Sequence, residues 1–376
     1  MNATSSKGQA TAEGTARYQD RFRGQLAEGH FRQSQGLWLS SIGLGSYLGN
    51  ADELTDEAYR AAVKRAAQAG CNVFDTAANY RFQRSERSFG DALADLFSQS
   101  VCSRDEIVVT TKGGYIPFDG TAPRSQQEMT AYLLETFVKP GVARLEDFVQ
   151  GSHCMTPRYL QHQLDQSLRN LRLDCVDVYY LHNPESQLAE VSQEEFYVRL
   201  RAAFEFLESA VAAGQIASYG TATWNGYRVQ SNSREFLSLE RVEQTAREVA
   251  GDNHHFKVVQ LPFNLAMIEA FADANQTLNG RKATFLEVAA ELGITVMASA
   301  SMLQAKLAAG LPPVMTEAFP GLRTGAQRAI QFVRSTPGIA TALVGMSKIA
   351  HVEENLEVAA TPPAEMDDYL KLFNKA

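Results

Sequence analysis

The sequence predicts a (β/α)8 barrel, and two observations predict it. Short β-branched runs alternate with segments of helical periodicity about eight times between residues 41 and 358. Alternation of that kind implies parallel strands joined by right-handed crossovers, which leaves the closed barrel and, as runner-up, the open doubly wound sheet. Finally, neither an internal repeat nor a Pro/Gly-rich linker divides residues 31–376, so they read as one domain.

Residues 1–30 are rich in Ser, Thr, Gly, Gln and charge, and are expected to be a mobile leader. Residues 37–42 read as extended, with a first barrel strand at 41–46 that includes Gly43-Leu44-Gly45-Ser46, followed by Tyr47, where two glycines let the backbone approach something closely. A helix follows at 56–69, stopped by Gly70. The second strand, 72–76, is a buried apolar run ending at Asp75, with Tyr80 in the loop beyond. Next come a helix at 85–97, a strand at 107–111 ending at Lys112, a helix at 156–171, and a strand at 176–181 ending at His182. The remaining cycles pair helices at 195–213, 239–250, 284–292, 324–334 and 351–358 with strands at 216–222, 257–261, 294–298 and 340–344. Residues 113–155 break the rhythm: they form a long strand-to-helix connection with a helical segment at 128–138, expected on the C-terminal face as a lid or pocket wall.

Composition excludes several classes of function. With 45% apolar and 21% charged residues the 376-residue chain can bury a sizeable core, and a formal charge of -8 argues against a nucleic-acid partner. No apolar run approaches the ~20 residues of a membrane helix, and the first thirty residues lack the order of a signal peptide, so a cytoplasmic location is expected. Cys71, Cys102, Cys154 and Cys175 lie far apart without a CxxC pair, which supports neither a metal site nor a disulfide framework.

Every strand of such a barrel points its C-terminal end at one mouth, so Asp75, Lys112 and His182, ending three successive strands, converge there with Tyr80. A nearby ammonium is expected to lower the phenol's pKa, Asp75 to pair with Lys112, and His182 to orient a carbonyl oxygen toward the Tyr80 hydroxyl. That is a tuned proton donor beside an oxygen-binding pocket, which suits carbonyl reduction once a hydride source lies across the site.

The order Phe74-Asp75-Thr76-Ala77, Tyr80, Ser85-Glu86, Thr111-Lys112, Ser167-Leu168-Arg169-Asn170-Leu171, Asp177 to His182, and Gly345-Met346-Ser347-Lys348 leading to Glu353-Glu354-Asn355-Leu356 resembles the aldo-keto reductase superfamily. The resemblance implies a (β/α)8 barrel, a nicotinamide cofactor bound without a Rossmann fold, and hydride exchange with an aldehyde, ketone or alcohol. By motif match the family's catalytic tetrad falls on Asp75, Tyr80, Lys112 and His182, with Tyr80 as general acid. Its cofactor positions fall on Gly45, Ser46, Tyr47, Asp75, Thr223, Gln260, Ser299, Gly345, Ser347, Lys348, Glu354 and Asn355, and Ser347 with Lys348 favours NADP(H) over NAD(H).

This chain departs from the family pattern in three places. Ala222-Thr223 stands for the family's Ser-Asn, Ser299-Ala300-Ser301-Met302 lacks the aromatic that many members stack on the nicotinamide, and the stretch from Tyr80 to Ser85-Glu86 is two residues longer, which is expected to reshape substrate access. Two other readings remain open at this level: a cofactor-sensing regulatory subunit, as the resemblance extends to potassium-channel β subunits, and a Schiff-base lyase using Lys112.

Overall fold

A computed structural model of the chain describes residues 6–373. Helix α1 (Ala12–Asp20) precedes an antiparallel hairpin of β1 (Phe31–Ser34) and β2 (Leu37–Ser40). Barrel strands and helices then alternate: β3 (Ile42–Gly45), α2 (Glu53–Gln68), β4 (Val73–Asp75), α3 (Arg84–Ser98), β5 (Val108–Gly113), α4 (Gln126–Leu133), α5 (Pro157–Leu171), β6 (Val176–His182), α6 (Gln193–Ala212), β7 (Ile216–Ala222), α7 (Leu239–Ala250) and β8 (Phe256–Pro262). After α8 (Glu269–Ala272) a small hairpin, β9 (Gln276–Leu278) with β10 (Arg281–Ala283), leads to α9 (Phe285–Glu291) and β11 (Thr295–Ser299). The chain ends through α10 (Val314–Ala318), α11 (Gly325–Ser335), β12 (Ile339–Gly345), α12 (Ile349–Leu356) and α13 (Met366–Leu370). Strands β3 to β8, β11 and β12 close into a parallel barrel in the order β11-β12-β3-β4-β5-β6-β7-β8. Among the described residues, no helix is long and apolar enough to cross a membrane.

Strand parity decides which side chains enter the barrel. Successive residues of a strand face opposite sides. Val73, Val108, Val178, Tyr180, Ala222, Val258, Met297 and Leu343 pack together as an inner core, while Phe74, Val109, Tyr179, Leu181 and Val259 join the larger core under the helices. Two residues on from inward Val73, Tyr180 and Val258 come Asp75, His182 and Gln260, and Lys112 shares the parity of Val108. The inner valines therefore aim the polar strand ends into the mouth.

The N-terminal segment differs from the expected mobile leader. Its first five residues lie outside the described ones, but α1 is capped by Thr11, whose side chain accepts from the Gly14 amide, and it packs under the barrel. The Tyr18 hydroxyl, 1% exposed, donates to the carbonyls of Ala67 at 2.5 Å and Cys71 at 3.0 Å, and Arg17 pairs with Asp105 and buried Glu106. Just before the helix, the Ala10 amide donates to Asp177 at 2.6 Å; Asp177 also pairs with Arg104 at 2.9 Å. Polar composition hid this because the anchors are single residues, and each is matched to a partner far along the chain.

His30 tightens the same junction. Its Nε2–H donates to the Gly70 carbonyl at 2.9 Å, and Nδ1 accepts from the Ser41 hydroxyl at 3.1 Å, the oxygen of which takes a bond from the buried Arg334 Nε at 2.9 Å. Burial, then the Arg334 charge, lowers its pKa to about 3. The unfolded chain protonates this imidazole near its ordinary pKa of 6.5 and the folded chain does not, so stability falls as pH drops from 6.5 toward 3. At pH 5 the loss from His30 is about 2 kcal/mol, at roughly 1.4 kcal/mol per pKa unit. Urea unfolding at pH 7.5 and 5 is expected to show a smaller acid loss in His30→Gln than in wild type; identical losses would remove His30 from the account.

The connection from β5 to α5 holds a small core of its own. Ile116, Leu133, Phe137, Ala143, Phe148, Cys154 and Tyr159 cluster there, and α4 passes directly into a π-helical turn at Leu134–Val138. The four cysteines are free and buried.

Candidate active site

At the C-terminal mouth of the barrel a cavity of about 820 Å³ runs from Tyr47, Tyr80, Tyr115 and His182 to Ser347, Glu354 and Asn355. At its base Lys112, 1% exposed, donates from Nζ to Asp75 Oδ2 at 2.7 Å and to the Thr76 carbonyl at 2.7 Å. The other Asp75 oxygen accepts from Thr110 Oγ1 at 2.7 Å and Gln260 Nε2 at 2.8 Å, so the carboxylate is held by three donors from two strands, β5 and β8. The Lys112 ammonium meets the face of the Tyr80 ring, 5.0 Å from its centroid. A chain of edge-to-face contacts crosses the cavity wall: Tyr47 to Tyr80 at 5.0 Å, Tyr80 to His182 at 5.8 Å, and His182 to Tyr115 at 5.1 Å. Asp75, Tyr80, Lys112 and His182 are thus brought together.

Burial governs the electrostatics. It pushes the Tyr80 phenol well above its ordinary value, and Asp75 and Tyr47 act in the same direction. This reverses the expectation that Lys112 lowers it, because the ammonium is spent on Asp75 and Thr76 and meets the ring. Burial lowers the Lys112 ammonium from its ordinary value, while Asp75 opposes that shift. His182 is held neutral, its pKa well below the usual imidazole value through burial first and the Lys112 charge second.

The expected cofactor positions divide into two groups. Gly45, Ser46, Tyr47, Asp75, Thr223, Gln260, Ser299, Gly345, Ser347, Glu354 and Asn355 all line the cavity. Ser46 is tied down on every side: its hydroxyl donates to Thr76 Oγ1 at 2.8 Å, its amide to the Asp75 carbonyl at 3.2 Å, and its carbonyl accepts from Ser85 Oγ at 2.8 Å. Lys348 does not line the cavity; it stands exposed as the N-cap of α12, because the chain turns outward after buried Met346.

Two other expectations change. The long stretch after Tyr80 folds into a left-handed turn at Arg81, Phe82 and Gln83, with φ of 50, 57 and 69°. Arg81 pins it to Asp56 at 2.5 Å and to the Asn50 carbonyl at 2.8 Å, and Gln83 Nε2 donates to the Pro117 carbonyl at 3.0 Å. Residues 81–86 do not line the cavity, so the added length is absorbed beneath Tyr80 instead of reshaping access. Of the 113–155 connection only Tyr115 lines the cavity, and Ile116, Leu133, Phe137, Ala143, Phe148 and Cys154 pack into a separate small core.

Sequence reasoning missed Asn79, Tyr115, Asn183, Trp224, Met302 and His351 as lining residues. Asn79 and Trp224 adjoin residues that were singled out, a usable signal. Trp224, 43% exposed, is held by its backbone: its amide donates to Glu185 Oε1 at 2.7 Å and its carbonyl accepts from Arg228 at 2.9 Å. Asn79 Oδ1, His182 Nδ1 and Thr223 Oγ1 are buried without a protein partner, on residues that line the cavity.

Comparison with known proteins identifies the family and the fold. The model of the Aldo/keto reductase family matches residues 41–309. The chain is 26% identical over 178 residues to an NAD(P)H-dependent D-xylose reductase of Kluyveromyces lactis, covering 41% of this chain and 52% of that protein. It is 30% identical over 191 residues to a D-threo-aldose 1-dehydrogenase of Pseudomonas sp, covering 49% and 50%. The matched region thus spans about half the length of each of these relatives. A crystal structure of an aldo/keto reductase from Klebsiella pneumoniae in complex with NADP and acetate superposes with a TM-score of 0.60 at 19% identity, over 92% of this chain and 96% of that one, which shows a shared fold. With the family model matched across residues 41–309 of 376, this chain belongs to the aldo/keto reductase family.

Proposed function

We propose that the protein catalyses reversible hydride transfer between the nicotinamide of NADP(H) and an aldehyde, ketone or alcohol, with Tyr80 as general acid and base. The observation that carries this reading is the half-buried Tyr80 ring set between the Lys112 ammonium and the His182 ring on the cavity wall. A phenol kept protonated by burial is a proton donor at neutral pH. A neutral His182 keeps one N–H to hold a carbonyl oxygen facing that hydroxyl. As the oxygen gains negative charge it becomes the stronger base, so the proton moves from Tyr80 to the oxygen. Asp75 keeps Lys112 in place throughout.

When bound, the cofactor supplies the hydride. The residues present fit it: Asn79 Oδ1 and Thr223 Oγ1 are buried polar atoms without partners in the cavity, and Gly345 leaves room, since an added Cβ there would meet only Leu48, at 3.7 Å. Gln260, Thr223 and Ser299 would hold the nicotinamide end; Gly345, Ser347, Glu354 and Asn355 would hold the adenosine end. A Schiff base on Lys112 is disfavoured because its Nζ is buried and committed to Asp75 and Thr76. The same reading places the protein in the cytoplasm, with small carbonyl or alcohol substrates and no nucleic-acid partner.

Loss of NADPH absorbance with a panel of simple aldehydes tests the proposal, and absence of turnover across the panel would overturn it. Lys348, exposed at the start of α12, is assigned to the 2′-phosphate from outside the cavity. Lys348→Ala is expected to weaken NADPH binding by roughly 1 kcal/mol, about fivefold, as for one exposed charge pair, and to leave NADH unchanged. Equal weakening of both, read by fluorescence titration, would refute the phosphate assignment.

A further inference from the structure

His182 is the member of the site with the least direct support. Its Nδ1 is buried without a protein partner, and its ring makes edge-to-face contacts with Tyr80 and Tyr115. What anchors it lies one layer back, in the connection between β5 and α5. His153 is 2% exposed and forms a hydrogen bond from Nε2 to the His182 carbonyl at 2.8 Å. The same ring packs edge-to-face on Tyr115, with centroids 5.0 Å apart, so it braces both the backbone of His182 and the aromatic wall beside it.

The tautomer of His153 follows from its neighbours. Arg199 Nη1 donates to Gln187 Oε1 at 2.7 Å, which turns the Gln187 NH2 toward His153. That NH2 donates to His153 Nδ1 at 2.8 Å and to the His153 carbonyl at 3.1 Å. Nδ1 is therefore an acceptor, and Nε2 carries the hydrogen that reaches His182. Gly114 makes the approach possible: its φ is 139°, and a Cβ there would stand 2.7 Å from His153 Nε2 and 3.2 Å from the His182 carbonyl oxygen.

We infer that His153 is a positioning residue for His182, delivered by the 113–155 connection, and that the Arg199–Gln187–His153 chain sets the orientation of the His182 ring and the Tyr115 wall. The inference rests on the reading that His182 holds the substrate oxygen, but its test has a readout that does not need turnover. The 15N shifts of the His182 imidazole, assigned with a His182→Gln sample, are expected to move in His153→Ala and to stay near wild type in His153→Gln, whose amide can both accept from Gln187 and donate to His182. In turnover, His153→Ala is expected to lower kcat by about 10- to 100-fold, the range for orienting partners, with NADPH affinity unchanged and His153→Gln recovering most of the loss. His182 shifts unchanged in both variants would overturn the inference whether or not the enzyme turns over. So would a kcat unchanged in an active His153→Ala, or NADPH affinity falling in parallel with kcat. If His153→Ala does not fold, His153→Gln is compared with Gln187→Leu, which frees the His153 tautomer: moved His182 shifts in Gln187→Leu alone support the inference, and wild-type shifts in both overturn it. A wild type that reduces no carbonyl, yet whose His182 shifts respond to His153→Ala, would refute the proposed function and leave the positioning role standing.

Discussion

Tyr80→Phe is expected to cut carbonyl reduction by about 10²- to 10⁴-fold while NADPH binding stays within a few-fold of wild type. The substitution removes one oxygen and keeps the ring, so the edge-to-face contacts with Tyr47 and His182 and the contact with the Lys112 ammonium survive. What disappears is the proton that must reach the substrate oxygen. Single-turnover oxidation of bound NADPH separates this from slow product release, and cofactor fluorescence measures binding on the same samples. A Tyr80→Phe protein that retained wild-type rates would show that another group or water delivers the proton.

Asp75→Ala is expected to damage both stability and activity. The carboxylate accepts from Lys112, Thr110 and Gln260, and all three donors are buried. Its removal leaves the Lys112 ammonium with the Thr76 carbonyl as its remaining partner, in a site where burial already disfavours the charge. An uncompensated buried charge of this kind costs about 3–5 kcal/mol. Urea unfolding is expected to show the midpoint falling with little change in slope, alongside loss of turnover. A variant within 1 kcal/mol of wild type would mean that Lys112 sheds its proton at little cost and that the pair is not what holds the base of the site together.

Much of the site was legible because strand ends in a parallel barrel share one mouth. Asp75 and His182 end β4 and β6 and Lys112 is the last residue but one of β5, and the period of two that sends Val73, Val108 and Val178 inward sends these polar residues inward as well. Tyr80 was legible through its spacing from Asp75. Tyr115 and His153 were not, because the connection that carries them has no period to follow; their places come from contacts with His182 and Gln187, which are distant in sequence. Helix α1 was hidden for a similar reason. A nine-residue polar helix has little reason to form alone, and it forms here on partners at Ala67, Cys71 and Asp105.

From its residue order alone this chain was determined to be a parallel barrel with an acid, a phenol, an amine and an imidazole at one mouth, since period and strand-end position are local properties. The tertiary structure decided the charge states and the supports: that burial raises the Tyr80 phenol despite the nearby ammonium, that Lys348 stands outside the cavity, that the extra residues after Tyr80 fold beneath it, and that His153 stands behind His182. Those features depend on desolvation and on contacts between segments far apart along the chain, and both come into being only when the barrel closes.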